Sequence, residues 1–109
     1  MTTESEILQV VYQTILDRKT NPTDSSYTTS LMRGGIDKIL KKVGEEATEV
    51  VIAAKGGVTE EIVYETADLI FHLLVLLGHQ NINPDDIFAE LRRRHGTSGL
   101  TEKASRVQL

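Results

Sequence analysis

The sequence has 109 residues, of which 39% are hydrophobic and 26% are charged, and its formal net charge is −4. That length fits one domain, and an acidic chain lacks the basic face that binding to nucleic acid requires. Because the sequence contains no cysteine, disulfides and thiolate metal sites are excluded, and a bound metal would have carboxylate or histidine ligands. No signal-peptide pattern opens the sequence, and its longest apolar run, residues 73–77, is too short to span a membrane, so we expect a cytoplasmic protein.

The first third of the chain predicts two helices separated by a polar loop. Apolar residues recur at helical spacing over residues 4–18, and the polar segment 19–26 is typical of a loop. Thr28 is expected to cap a short helix that ends at Gly34 and Gly35, since glycine commonly terminates helices.

Three further helices are predicted in the remainder of the chain. The first covers residues 36–55, and the second covers residues 59–80 after a Gly-Gly break, with Thr59 as its cap. The last covers residues 84–95, because Asn83 is a favourable cap and proline is favoured at the first helical position. No segment has the pattern of a strand, so the predicted fold class is all-α with four to five helices. The predicted boundaries are 1–95 for the helical domain and 96–109 for a flexible C-terminal tail.

One carboxylate in the helix predicted over residues 36–55 lies where an amphipathic helix should be apolar. On a helical wheel Glu46 falls inside the broad apolar face, with Glu49 beside that face and Glu45 further out. A run of charges is usually a solvated helix face, but a solvated face lies opposite the core. Burial of an unpaired carboxylate is costly, so Glu46 is expected to be paired, protonated or metal-bound.

The helix predicted over residues 59–80 is apolar almost all round between residues 67 and 77, apart from Asp68 and His72. A helix of this composition is normally buried on most sides. A monomer of 109 residues could hardly bury it completely, so we expect a homodimer with this segment near the interface. His72, one turn after Asp68, has three possible roles: a metal ligand, a partner that orients Asp68, or a core histidine satisfied by a neighbour.

The carboxylates of these two helices are expected to meet if the helices pack antiparallel across the Gly-Gly break. Residues three or four apart on a helix are neighbours, so each helix carries an acidic cluster at a comparable distance from the turn. Converging carboxylates repel each other unless cations bind, and Mg²⁺ prefers carboxylates together with water and phosphate oxygens. Lys38 and Lys42 precede Glu46 by two turns and one turn, so we expect them to contact substrate phosphates. The converging residues are Glu45, Glu46, Glu49, Glu65 and Asp68.

The pattern Glu45-Glu46-x-x-Glu49 followed by Glu65-x-x-Asp68 resembles the metal signature of the all-α nucleoside triphosphate pyrophosphatases, which include the MazG-type enzymes. A wider resemblance narrows the assignment to the phosphoribosyl-ATP pyrophosphatase family of histidine biosynthesis. The stretches that carry it are residues 26–31, 41–46, 68–77 and 96–106, the last of which contains Gly-Thr-Ser-Gly.

This resemblance implies a MazG-like bundle of helical hairpins, assembled as a homodimer, that uses Mg²⁺ to hydrolyse the α–β phosphoanhydride of phosphoribosyl-ATP. The products would be phosphoribosyl-AMP and pyrophosphate, in the second step of histidine biosynthesis. Carried over by position, Glu46 and Glu49 would act in catalysis by orienting the attacking water. The other implied site residues are the metal ligands Glu45, Glu46, Glu49, Glu65 and Asp68, and the substrate contacts Lys42, Arg33 and Tyr27.

Two other functions stay open. A MazG-type nucleoside triphosphate pyrophosphatase would share the carboxylates but would not be expected to carry the Gly-Thr-Ser-Gly tail. A non-catalytic dimerisation module could bind Mg²⁺ or Ca²⁺ structurally, although it would not need Lys38 and Lys42 beside the metal. In some organisms this activity is fused to the cyclohydrolase of the next step, whose zinc ligands are typically cysteines. The short, cysteine-free sequence is therefore expected to be a stand-alone pyrophosphatase.

Overall fold

The computed structural model describes residues 6–96, 99, 100 and 103. Its four helices are α1 (Ile7–Thr20), α2 (Tyr27–Gly56), α3 (Thr59–His79) and α4 (Pro84–Arg94). No strand occurs among the described residues, so the predicted all-α fold is confirmed. The start predicted for the first helix at residue 4, and most of the predicted tail at residues 96–109, lie outside the described residues.

A cap and a kink shape the long helix α2. Ser26 caps it, because its Oγ accepts a hydrogen bond of 3.1 Å from the backbone N–H of Thr29. The predicted cap at Thr28 is therefore wrong, and Thr28 lies buried in the first turn. Gly35 adopts φ 80° and ψ −175°, which kinks the helix at the point where a short helix was predicted to end. The kink divides α2 into a short N-terminal segment and a long C-terminal segment.

A two-residue connection closes the hairpin formed by α2 and α3. Gly57 has φ 81° and ends α2 in the left-handed conformation, with its N–H donating to the carbonyl of Ala53 at 3.1 Å. Val58 is extended and occupies the cap position of α3, and Thr59 is the first helical residue. The predicted threonine cap of this helix is therefore wrong, although the predicted start is confirmed.

The start of α4 and its link to α1 follow the sequence signals closely. Asn83 Oδ1 accepts a hydrogen bond of 2.9 Å from the N–H of Asp85, and Pro84 takes the first helical position, as predicted. The hydroxyl of Tyr12 donates to the carbonyl of Ile82 at 2.6 Å, which ties α1 to the connection between α3 and α4.

The core lies between α1, α2 and α3, and α2 packs most extensively on α3. Gly78 allows α1 to approach α3 closely, because a Cβ at that position would lie 2.9 Å from Ile15 Cγ2. The packing of α2 on α3 sets the carboxylates of the two helices side by side. The buried apolar residues of the core are Ile15, Leu31, Ile39, Leu74 and Val75.

Helix α3 is the most apolar element, and part of its apolar surface is exposed. With 21 residues and a mean hydropathy of 1.4 it is long and apolar enough to cross a membrane, a test that core helices of soluble proteins also pass. Val63, Ile70 and Leu73 are among its exposed side chains. Between α1 and α3 lies an apolar cavity of about 300 Å³. A homodimer would cover these exposed apolar side chains, and the homodimer stays a prediction.

Candidate active site

The centre of the candidate site is a pair of carboxylates that face each other across the hairpin. Glu46 comes from the C-terminal segment of α2 and is only 7% exposed, so the prediction that it lies in the buried face is confirmed. Asp68 comes from α3, and its side chain is 36% exposed. Glu46, Asp68 and His72 each offer a possible ligand atom, and these atoms lie within 4.8 Å of one another.

Glu46 and Asp68 lie close enough that the charge on one affects ionisation of the other. Burial, together with the hydrogen bond and negative charge of Glu46, raises the pKa of Asp68. Burial alone would raise the pKa of Glu46 as well, but hydrogen bonds with Asp68 and Lys42 lower it overall. The two carboxyl groups therefore titrate together, and negative charge on Glu46 disfavours ionisation of Asp68.

Lys42 lies beside the carboxylate of Glu46, which is one turn further along α2, and its contact with substrate phosphates stays a prediction. Its Nζ lies 3.2 Å from Glu46 Oε1 and 3.3 Å from Glu45 Oε2. The hydrogen bond with Glu46 is the main cause of a raised pKa for Lys42, which therefore stays charged. Glu45 lies on the exposed edge of the site, and Lys41, which is also exposed, reaches its carboxylate with Nζ at 4.0 Å.

Glu49 and Glu65 extend the acidic surface from the buried pair toward the turn of the hairpin. Partial burial raises the pKa of Glu65, and the negative charges of Glu49, Glu46 and Asp68 raise it further. The predicted convergence of carboxylates from α2 and α3 is thus visible as mutual electrostatic repulsion. Glu49 and Glu65 line an open cavity of about 350 Å³, with Glu60 and Glu61 also in its wall.

His72 connects the acidic pair to the start of α2. It is 2% exposed, and its Nδ1 lies 2.8 Å from the backbone carbonyl of Asp68, which can only accept a hydrogen bond. Nδ1 therefore carries a proton, and Nε2 forms a hydrogen bond of 2.8 Å with the hydroxyl of Tyr27. Of the three roles considered for His72, this geometry disfavours a metal ligand, since both ring nitrogens are already engaged, and fits both a satisfied core histidine and a partner that orients Asp68.

Tyr27 belongs to this network through a contact that the sequence did not predict. The resemblance put it near the substrate, but nothing in the sequence linked it to His72, which is 45 positions away. Its ring stacks on Phe71 with the centroids 6.3 Å apart, and the residue remains 50% exposed. The one local signal for this network was the placement of His72 one turn after Asp68.

Two predicted substrate contacts lie away from the carboxylates. Lys38 Nζ is 3.0 Å from Ser30 Oγ, so this lysine spans the kink of α2. Arg33 pairs with Asp24 at 2.9 Å and lines a different cavity. The roles of Lys38 and Arg33 in substrate binding stay predictions.

Comparison with known proteins identifies the family. The family model described as phosphoribosyl-ATP pyrophosphohydrolase matches residues 8–95. The chain belongs to this family. Among curated members, the phosphoribosyl-ATP pyrophosphatase of Geotalea daltonii is 70% identical over 101 residues, which are 93% of this chain and 95% of that protein. The phosphoribosyl-ATP pyrophosphatase of Geobacter metallireducens is 68% identical over 106 residues, 97% of each chain.

Another relative has a longer chain. The histidine biosynthesis bifunctional protein HisIE of Caldanaerobacter subterraneus is 60% identical over 90 residues, which cover 83% of this chain and 44% of that protein. The family predicted from the acidic motifs and their flanks, and the hydrolase class that goes with it, are thereby confirmed.

The donor set of this phosphoribosyl-ATP pyrophosphohydrolase family member fits a hard divalent cation. The described donors on α2 and α3 are carboxylate oxygens, which suit Mg²⁺, Mn²⁺ or Ca²⁺, and both nitrogens of the nearby histidine are hydrogen-bonded. The crowding of negative charge is a second indication, because a divalent ion would relieve the repulsion that helps to raise the pKa of Asp68 and Glu65.

Proposed function

We propose that the protein hydrolyses the α–β phosphoanhydride of phosphoribosyl-ATP with the help of Mg²⁺, giving phosphoribosyl-AMP and pyrophosphate. One observation carries this proposal: buried Glu46 lies close to Asp68 and contacts Lys42, so a carboxylate pair and a cation are held together where α2 meets α3. Family membership supports the choice of substrate, since the curated relatives are named phosphoribosyl-ATP pyrophosphatases.

The carboxylates would hold the metal, and their placement supports unequal roles. Glu46 and Asp68 would be the inner ligands, while Glu49 and Glu65 would complete the site from the open side and Glu45 from its edge. When bound, Mg²⁺ neutralises phosphate charge and lowers the pKa of coordinated water. Protons compete with a metal ion for these carboxylates, so affinity should fall as the pH is lowered.

The protein's own side chains would contact the phosphates, orient the attacking water and position Asp68. Lys42, with its side chain 29% exposed, would turn from Glu45 toward a substrate phosphate and offset the charge of departing pyrophosphate. Glu46 or Glu49 would accept a hydrogen bond from the attacking water and orient it. Water adds across the P–O bond between the α and β phosphates, and the bridging oxygen leaves with pyrophosphate. His72 and Tyr27 would hold the backbone of Asp68 in place.

A homodimer in the cytoplasm is part of the proposal. Apolar side chains exposed on α2 and α3, such as Val51 at 67% and Val63 at 63%, would be covered by a second copy. The measurement is light scattering after gel filtration, for which we expect twice the mass of the chain. A monomer at micromolar concentration would contradict the homodimer without touching the catalytic proposal.

The function is tested by pyrophosphate release from purified protein in Mg²⁺, with phosphoribosyl-ATP, ATP and several deoxynucleoside triphosphates as separate substrates. Release from phosphoribosyl-ATP alone is expected. Release from the other triphosphates would favour a MazG-type enzyme, which shares the carboxylates, and release from none would favour a structural metal site. The Glu46→Gln variant should fold but lose turnover, and release near the wild-type rate would refute the assignment of Glu46.

A further inference from the structure

A basic cavity of about 290 Å³ lies apart from the carboxylates of α2 and α3. The C-terminal end of α1, the loop that follows it, the N-terminal segment of α2 and the end of α3 enclose this cavity. None of the described residues that line it is acidic. Its polar lining residues are Arg18, Lys19, Thr29, Arg33 and His79.

The basic cavity and the acidic site open on different faces of the same helical segment. Thr29 and Arg33 follow Tyr27 by two and six residues, which places them about 200° and 240° from it around the helix. Tyr27 faces His72 and the acidic pair. A ligand in the basic cavity would therefore contact residues that play no part in the proposed metal site.

The arginines of the basic cavity are held only by weak ion pairs. Arg18 contacts Asp17 at 2.7 Å and Arg33 contacts Asp24 at 2.9 Å, and neither aspartate is part of the cavity wall. Both pairs are solvent-exposed, with the Asp24 side chain 94% exposed, and exposed pairs contribute little to stability. An anion with several oxygens would offer each guanidinium a better, two-point partner.

Lys19 contributes a fixed positive charge. Its Nζ lies 3.0 Å from the carbonyl of Gly78 and 2.9 Å from Asn81 Oδ1. These bonds hold the ammonium group at the C-terminal end of α3. It would act on an anion mainly through its charge, while the arginines make the direct contacts.

His79 and Thr29 in the cavity wall offer two further hydrogen-bond donors to an anion. The side-chain nitrogen of Gln80 can only donate, so it donates to His79 Nδ1 at 2.9 Å and leaves Nε2 with the proton. Thr29 is 1% exposed, and its Oγ1 accepts a hydrogen bond of 3.1 Å from the N–H of Thr23 while keeping its own proton. The wall of the cavity thus combines three cations with neutral donors.

We infer that the basic cavity binds the phosphate group of a phosphate monoester, with Arg18 and Arg33 as its direct partners. The planar guanidinium group matches phosphate oxygens in a two-point arrangement. The cavity, at about 290 Å³, is close to the lower end of the ~300–1,000 Å³ typical of small-molecule sites, so a sugar phosphate is a suitable size. The phosphate could belong to the phosphoribosyl group of the substrate, a source that rests on the proposed function, or to a separate sugar phosphate.

The first test is titration calorimetry with ribose 5-phosphate in the presence of a chelator, so that no metal contributes. We expect saturable binding to the wild type, weakened at least about tenfold in the Arg18→Gln/Arg33→Gln variant because charge-assisted bonds are lost. The Arg92→Gln variant, which removes an exposed arginine from α4, is the matched control and should bind like the wild type. The Glu46→Gln variant should bind equally well.

Absence of saturable binding, or equal weakening in the control, would overturn the inference. If the double variant does not fold, Arg33→Lys replaces it, since lysine keeps the charge but not the two-point geometry and should weaken binding several-fold. Unchanged affinity in that variant would also count against Arg33.

Steady-state kinetics distinguish the two sources of phosphate. If the cavity holds the phosphate of the substrate, the double variant should raise KM about tenfold or more with little change in kcat. If it holds a separate metabolite, KM should be unchanged, and ribose 5-phosphate should alter turnover of the wild type but not of the double variant. If neither of these two kinetic effects is observed, a functional role for the cavity is refuted. Binding of ribose 5-phosphate by a protein that cannot hydrolyse phosphoribosyl-ATP would leave this inference standing and refute the proposed function.

Discussion

The Asp68→Asn variant is expected to be more stable than the wild type without metal, yet inactive with it. The possible ligand atoms of Glu46, Asp68 and His72 lie within 4.8 Å of one another. At the upper limit of that separation two ionised carboxylates repel each other by about 3 kcal/mol at an effective dielectric constant of ~20. Because the Asp68 side chain is 36% exposed, solvent screening reduces this value, and we expect the free energy of unfolding to rise by about 1–2 kcal/mol.

The same substitution should weaken the metal site. An amide oxygen is a poorer ligand for Mg²⁺ than a carboxylate, and even residues that only support metal ligands reduce affinity or activity by about 10–100-fold when they are replaced. We therefore expect pyrophosphate release to fall by at least about 100-fold. Urea unfolding monitored by circular dichroism, with a chelator and then with Mg²⁺, should show that Mg²⁺ stabilises the wild type much more than the variant.

An identical chemical change at an exposed position of α2 is the matched control. Asp37→Asn should alter the free energy of unfolding by no more than about 0.5 kcal/mol and leave activity unchanged. The reasoning would be refuted if metal-free Asp68→Asn were less stable than the wild type. Stabilisation of both proteins by Mg²⁺ to the same extent would remove Asp68 from the metal site.

Three further predictions concern pH, the buried histidine and helix packing. The folded state raises the pKa of Asp68 above its ordinary value of 3.8, so the metal-free wild type should lose stability as the pH rises from that value through the raised pKa. Urea unfolding at several pH values should show that the free energy of unfolding of Asp68→Asn depends less on pH. Tyr27→Phe leaves Nε2 of buried His72 without its hydrogen-bond partner. We therefore expect the free energy of unfolding to fall by about 1 kcal/mol and kcat to fall by about tenfold or more. A wild-type kcat would contradict the positioning role. Gly78→Ala should destabilise the protein by about 1–3 kcal/mol, because the new Cβ would lie 2.9 Å from an atom of α1. Gly44→Ala, where no atom lies within 4 Å of the new Cβ, should stabilise it by about 0.5–1 kcal/mol. The melting temperatures of the two variants should therefore shift in opposite directions.

Most of the helical framework and the burial of one carboxylate could be predicted from the sequence because both depend on local patterns. The period of 3.6 residues defines the buried face of a helix, so the place of Glu46 in that face was predictable, and it is 7% exposed. The break at Gly35 and the cap at Asn83 follow from chemistry that acts within a few residues. The choice of Ser26 over Thr28 as a cap did not follow, because several neighbouring hydroxyl residues satisfy the same pattern and the path of the incoming chain selects one.

Only the tertiary structure decided which distant side chains meet. Tyr27 and His72 are joined across 45 positions, and no local pattern can express such a contact. Lys38 has the helical spacing of a substrate contact, but its long side chain reaches Ser30 across the kink, and Arg33 faces the basic cavity. The sequence by itself determined that carboxylates would lie on the facing sides of two helices. The distance between those helices, which is set by core packing, decided that ligand atoms of Glu46 and Asp68 come within 4.8 Å of each other.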